Sequence, residues 1–364
     1  MPRNAAAREL RLDGIRGLAV LAVLAYHAGL LTGGWLGVDV FFVLSGYLIT
    51  RLLLDEAEST GEINRRAFYG RRARRLLPAL VVLLAAWLIV TLSGALPVER
   101  LGSDARHADA GLALVPVLGS ATLLYNWVLA FDLPTPTGMG HLWSLAVEEQ
   151  FYLVWPSVLV FACARGRRPV HSLLPLLVFG ATVALFISGS AVQGSSRDFA
   201  YFSSLTSGLG LLFGAAAALV PARRLPALAA AAGLAVLATL FLLAPDDRPW
   251  LLPLATLLAC AATTVVLLAA AGSSDRLLEL SSLRYAGRRS YALYLWSSPL
   301  AYAAAVWVGE TWMATGVLLV GSVALAELSW RLVEQPFGRR RPKHGGQLAP
   351  PSRSLVVRAP AQLR

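Results

Sequence analysis

Ten apolar runs of near-spanning length recur along the chain, at about 15–31, 36–54, 76–96, 142–163, 172–190, 200–220, 227–244, 250–271, 290–308 and 312–333. A run of this length covers the roughly 30 Å hydrocarbon core of a bilayer as a helix. A backbone in lipid must satisfy its hydrogen bonds within the segment, so repeated long apolar runs restrict the fold to a helix bundle. The expected fold class is all-α, a polytopic membrane helix bundle of about ten transmembrane helices. Composition agrees: 57% of the 364 residues are hydrophobic and 15% are charged.

Charge sets the direction of threading. The net charge of +11 resides in short clusters between the apolar runs: "RRAFYGRRARR", "RGRR", "PARR", "RYAGRR" and "GRRRPK". Lys and Arg accumulate in this way on cytoplasmic loops. Dispersal between spans also argues against a nucleic-acid surface, so no nucleic-acid partner is expected. An eleventh apolar stretch, roughly 108–131, is interrupted by Pro116 and Gly119. If it crossed the bilayer, the later basic loops would fall outside. If it enters and returns, both termini are cytoplasmic. Of the 32 Lys and Arg residues, 25 then lie in cytoplasmic segments, 4 outside and 3 within spans. The segment is therefore expected to be re-entrant or interfacial. The basic residues before the first run mimic a signal peptide, but no small-residue cleavage site follows, so an uncleaved first helix is expected. The two cysteines, Cys163 and Cys260, sit in apolar runs without a CxxC pattern, which suits inert helix residues and no metal site.

Depth sorts the polar residues. "RGLAVLAVLAYH" carries Arg16 and His27 eleven residues apart. Eleven helical residues return to within about 20° of the same face after about 16 Å. Arg16 then lies near the cytoplasmic end of span one and His27 near its outer end. Span two, running back, places Asp39 outside, Ser45 midway and Arg51 inside. With "RRARR" before span three, an inner basic cluster forms from Arg16, Arg51, Arg72 and Arg75. An outer acid–base group holds His27, Asp39, His141, Glu148 and Glu149. Ionisable residues within spans are costly and mark a function or an internal pair, although snorkelling arginines and helix-capping acids are the plain alternatives for single residues. Glu148 and Glu149 point about 100° apart and cannot serve one point. "GLGLLFGAAAAL" (208–219) follows no strand and reads as a helix–helix contact of small residues, not a nucleotide loop.

Several motifs together resemble the acyltransferase 3 family of bacterial integral-membrane O-acyltransferases: Arg16 with His27, "GWLGVDVFFVLSGYLIT", "RRARRLLP", "HLWSLAVEEQFYLVWP", "SYALYLWSSPL" and "VEQPF". The likeness spans about residues 10–340. It implies a membrane-embedded acyltransferase domain over 10–338, in the bacterial plasma membrane. It also implies transfer of an acyl group, commonly acetyl, from a cytoplasmic donor such as acetyl-CoA to a sugar hydroxyl. By the resemblance Arg16 and His27 are required, Arg72 and Arg75 serve the acyl-CoA, and an acid of "VEEQFY", Glu148 in preference to Glu149, takes part. Acyl-CoA is then a co-substrate, and no cofactor is bound permanently. Family members often carry a histidine where this chain has Ser297. No fused extracytoplasmic hydrolase-like domain is expected, and the Pro- and Ser-rich stretch 339–364 is expected to be a disordered cytoplasmic tail.

The chemistry fits these residue types. His27 suits a general base, with Glu148 or Asp39 as the carboxylate that fixes its tautomer. Arg16, Arg72 and Arg75 suit the phosphates and thioester of the donor. A transient acyl-enzyme on Ser45 or His27 is a less favoured route, since Ser45 has no evident base nearby. A glycan or a glycosylated metabolite would be the acceptor. A proton-coupled transporter or exporter is the alternative class, disfavoured by the lack of an inverted repeat, and a non-catalytic envelope scaffold would not need the ordered motifs. In a Cys163→Ala, Cys260→Ala background, an impermeant maleimide applied to intact cells should label Ser103→Cys and spare Ser354→Cys. The reverse pattern would overturn the topology.

Overall fold

The computed structural model describes residues 2–96, 110–164, 169–193, 196–220, 225–270, 277–309 and 311–338. The expected tail, 339–364, and two basic clusters, 165–168 and 221–224, lie outside the described residues. Sixteen α-helices follow in chain order: α1 (Pro2–His27), α2 (Gly37–Thr60), α3 (Arg65–Leu92), α4 (Ala110–Thr122), α5 (Tyr125–Ala130), α6 (Leu142–Ala164), α7 (Pro169–Gln193), α8 (Arg197–Phe202), α9 (Ser204–Ser207), α10 (Leu209–Leu219), α11 (Ala227–Leu243), α12 (Leu252–Ala270), α13 (Ser281–Arg288), α14 (Ser290–Val308), α15 (Trp312–Ser329) and α16 (Gln335–Gly338). A π-helical turn, Trp330–Glu334, joins the last two. Among the described residues there is no strand, and the chain is an all-α membrane bundle.

Among the described residues, six segments are long and apolar enough to cross a bilayer: Gly34–Thr60, Arg65–Leu92, Leu142–Ala164, Leu173–Gln193, Pro249–Ala270 and Trp312–Phe337. The expected count of ten is thus not reached on length and composition. Span six is divided into α8, α9 and α10, with Ser203 extended at ψ 142° between the first two. Span seven, α11, has only 17 residues. At 26 and 19 residues, α1 and α14 have spanning length, but they carry the polar side chains of the site.

The stretch expected to be re-entrant is two short helices. At 13 residues, α4 rises about 20 Å, short of a bilayer core. The chain breaks at Leu123, whose φ is 60°. Broken backbone within a bundle needs partners from neighbouring helices. Gln150 of α6 supplies them, its amide donating to the Leu123 carbonyl at 2.5 Å and to Asn126 Oδ1 at 2.9 Å. Asn126 in turn donates to the Phe202 carbonyl and to Ser204, fastening α5 to the broken span six.

The helices carrying site residues approach through glycine. Gly46 of α2 abuts the Leu211 backbone carbonyl, and Gly214 of α10 abuts that of Val43. The small-residue stretch in α10 is therefore a helix–helix contact, as its composition suggests. Gly17 of α1 and Gly287 of α13 close the opposite contact in the same way. A Cβ at any of these positions would meet backbone, which cannot rotate aside.

This predicts opposite effects from one chemical change. Gly214→Ala forces α10 off α2 and should lower Tm in detergent by roughly 5–10 °C, the cost of overpacking by a few kcal/mol. Gly316→Ala, where nothing lies within 4 Å, should leave Tm unchanged. Equal Tm values for both variants would refute the packing argument.

Candidate active site

One cavity, of ≈ 100 Å³, collects most of the charged residues singled out in the sequence. Arg16 enters from α1, Arg72 and Arg75 from α3, and Glu148 from α6. The local spacing explains the convergence. Arg72 and Arg75 are three apart, and Ser144, Glu148 and Tyr152 are four apart, so each set shares one helix face. Ser45 of α2 and Tyr291 and Tyr294 of α14 complete the wall. Glu149 does not line the cavity, as its rotation around the helix requires.

Hydrogen bonding fixes the acidic side of the cavity. Ser45 Oγ donates to Glu148 Oε1 at 2.6 Å, so Ser45 does have a carboxylate beside it, contrary to expectation. The Arg72 guanidinium lies 3.9 Å over the Tyr152 ring, a cation–π contact that holds the side chain in place. Its Nε is buried and has no hydrogen-bond partner. Arg16 has only a long contact, 3.5 Å, to Asp13 of its own helix. Three guanidinium groups thus line one space with a single cavity-lining carboxylate and unused donor capacity. Such a space favours an anion.

Not every arginine of the expected inner cluster is there. Arg51 pairs with Asp55 at 3.1 Å; outside that cluster, Arg71 pairs with Glu56 at 3.3 Å. Neither lines the cavity. Sequence reasoning also missed Glu334, which stands within electrostatic range of Arg75. It closes the π-helical turn, and its Oε1 is buried without a partner. The signal was present in "VEQPF", whose acid had no role assigned.

His27 lies further along the bundle. Its Nδ1 is 3.0 Å from Ser297 Oγ. The Ser297 hydroxyl donates to the Tyr294 carbonyl at 3.0 Å. A hydroxyl has one proton, so while Ser297 donates to the Tyr294 carbonyl it accepts from His27, a pairing that holds the imidazole proton on Nδ1 and leaves the Nε2 lone pair free. Tyr294 lines the arginine cavity and Ser297 follows three residues later, so His27 stands about one helical turn beyond the cavity wall. The Tyr294 hydroxyl also meets Ser144 at 2.6 Å and the His141 carbonyl at 2.7 Å.

The carboxylate expected beside His27 is not brought there. Among the described residues His27 makes no ion pair within 4.0 Å. Glu148 is engaged by Ser45 inside the cavity. Asp39 is buried in the first turn of α2 and lines a separate small cavity with Trp143, Tyr201 and Thr256. Both ring nitrogens of His141 lack hydrogen-bond partners, and its ring packs edge-on against Tyr294 at 5.5 Å. Among the described residues no group of His, Cys, Asp and Glu could hold a metal ion.

The sequence profile of a family described as an acyltransferase domain matches residues 9–331. The chain belongs to the acyltransferase 3 family. Among its relatives, the peptidoglycan O-acetyltransferase OatA of Listeria monocytogenes is 32% identical, over 90% of this chain and 55% of that protein. The O-acetyltransferase OatA of Staphylococcus aureus is 31% identical, over 93% of this chain and 60% of the relative. The putative peptidoglycan O-acetyltransferase YrhL of Bacillus subtilis is 32% identical, over 90% and 54%. The chain thus spans a little over half the length of the curated relatives it matches. No solved structure matches it.

The tautomer of this family member can be measured directly. ¹⁵N NMR in nanodiscs, with His27→Gln used to identify the signal, should show His27 protonated at Nδ1 and bare at Nε2. Ser297→Ala should yield a mixture of tautomers. A proton on Nε2 in the unaltered protein would refute the assignment.

Proposed function

We propose that the chain is a membrane O-acetyltransferase that moves an acetyl group from acetyl-CoA to a hydroxyl of a cell-envelope glycan. The observation that carries this reading is an arginine-lined cavity whose wall residue Tyr294 stands one helical turn from Ser297, the hydrogen-bond partner of His27. The relatives that are peptidoglycan O-acetyltransferases supply the acceptor class and the transferred group.

In this reading Arg72 and Arg75 hold coenzyme A phosphates at the cytoplasmic side, where a guanidinium fork suits phosphate oxygens. A cavity of ≈ 100 Å³ is too small for the nucleotide, so it takes the narrow pantetheine arm and the nucleotide stays at the cytoplasmic mouth. Arg16, about 16 Å from His27 along α1, steadies the arm or the thioester carbonyl. His27 Nε2 removes the proton of the acceptor hydroxyl as its oxygen attacks the thioester carbonyl. The tetrahedral intermediate collapses, the C–S bond breaks, and the imidazolium returns its proton to the departing thiolate. Ser297 takes the part expected of a carboxylate in fixing the tautomer, without contributing charge.

The test uses the full chain in nanodiscs, labelled acetyl-CoA and soluble peptidoglycan strands. His27→Ala should lower kcat at least about 100-fold, the usual worth of a general base. Arg72→Ala and Arg75→Ala should each raise the KM for acetyl-CoA about 10-fold or more, as loss of a charged hydrogen bond does. Unchanged transfer by His27→Ala would sink the base assignment, and no transfer by the unaltered chain would sink the reading.

A further inference from the structure

A second cavity, of ≈ 410 Å³, opens at the His27 end of α1. Its size falls within the range of small-ligand sites. Four separate parts of the chain build it: the end of α1 and the following turn (Tyr26, Trp35), the stretch after α5 (Asp132), α8 (Asp198, Tyr201), and the turn after α11 (Asp246). All four are segments that the charge rule assigns to the outer face.

The chemistry of the wall is specific. Aromatic rings form one side, with Trp35 and Tyr201 edge-on at 5.5 Å. Carboxylates ring the other. The Tyr26 hydroxyl donates to Asp246 at 2.5 Å, and Arg197 stands 3.8 Å from the same carboxylate. Asp132 and Asp198 stand within electrostatic range of each other, with Arg197 beside them. Two carboxylates held near each other accept hydrogen bonds and donate none. Flat aromatic faces beside carboxylate acceptors match a molecule with apolar C–H faces and many hydroxyl donors. Three aspartates against Arg197 and Arg248 leave the wall net negative, which disfavours a phosphorylated or acidic ligand.

We infer that this cavity is the binding site for the acceptor, a neutral, hydroxyl-rich glycan segment, which it delivers to His27. The inference rests on the O-acetyltransferase reading and adds to it where the sugar binds. The neighbouring rings of Tyr26 and His27 are 5.8 Å apart. His27 does not itself line the cavity, so delivery to it runs past the Tyr26 ring. The cavity has no share in the arginine-lined space, so acceptor and donor occupy separate chambers.

The test uses Asp132→Asn and Asp246→Asn in the full chain in nanodiscs. Asp132 is exposed and its substitution conserves shape, so folding is not at stake. Two readouts are taken: transfer kinetics with labelled acetyl-CoA and soluble peptidoglycan strands, and equilibrium binding of the same strands with no donor present. Each variant should raise the KM for strands about fivefold, the worth of a lost hydrogen bond. The kcat and the KM for acetyl-CoA should hold, and strand binding should weaken in parallel. Transfer with unaltered KM for strands in both variants would overturn the site. Binding that depends on Asp132 and Asp246 without any transfer would leave the site standing and remove the acetyltransferase reading. Failure of the strands to bind the unaltered chain would overturn the site.

Discussion

Three guanidinium groups face one small space between α1, α3, α6 and α14, inside a bundle whose outer surface is lipid-like. Each would be costly there alone. The surrounding sequence is arranged around that cost. Tyr152 stacks on Arg72, Glu148 faces the same space, Asp13 reaches Arg16, and the π-helical turn after α15 turns Glu334 toward Arg75. Compensation remains incomplete, since Arg72 Nε is still unmatched. A cluster that was only structural would gain by completing its pairs or by losing a charge. Retaining three positive charges with donors to spare is what an anion-binding site requires.

Two of the helices that line the cavity, α1 and α2, are held at backbone contact with their neighbours. Gly46 and Gly214 bring α2 and α10 to backbone contact, and Gly17 and Gly287 do the same for α1 and α13. Close packing of this kind fixes azimuth as well as distance, which a site built on five helices needs. On α7, Leu176, Val178, Phe179 and Phe186 are exposed in the manner of lipid-facing side chains.

Much of this was legible in the sequence wherever the relation was local. Arg16 and His27 share one unbroken helix, so their spacing translated directly into geometry. The i, i+3 pair Arg72 and Arg75 likewise came through together. Arg51 was misplaced because depth alone grouped it. It stands six residues from Ser45 on α2, about 120° around the helix, and so turns away from the cavity that Ser45 faces. Asp39, six residues before Ser45, is rotated off by the same amount. Long-range partners had no such signal. Ser297 is 270 residues from His27, and nothing in either segment announces the pairing. The departure from the family's usual histidine marked the position but not its partner. Hydropathy also overlooked the breaks in span six, because a helix interrupted at Ser203 and Gly208 has the same composition as a continuous one.

The two chambers differ in charge, and α1 joins them. Arg16 lines the basic one and Tyr26 the acidic one, so a single helix sets their separation. Under the proposed function, opposite electrostatics would sort the two substrates before any specific contact forms. An anionic donor would be drawn to the arginines and repelled by the aspartates, whereas a neutral glycan would be indifferent to the basic chamber and held by hydrogen bonds and ring faces in the other. Beside Tyr26 stands the imidazole of His27, with no ion pair of its own among the described residues. In the proposed reaction a carboxylate next to it would place negative charge where the acyl oxygen must develop its own. A hydroxyl such as that of Ser297 fixes the same tautomer without that repulsion, which gives a physical reason for a serine to serve at this position.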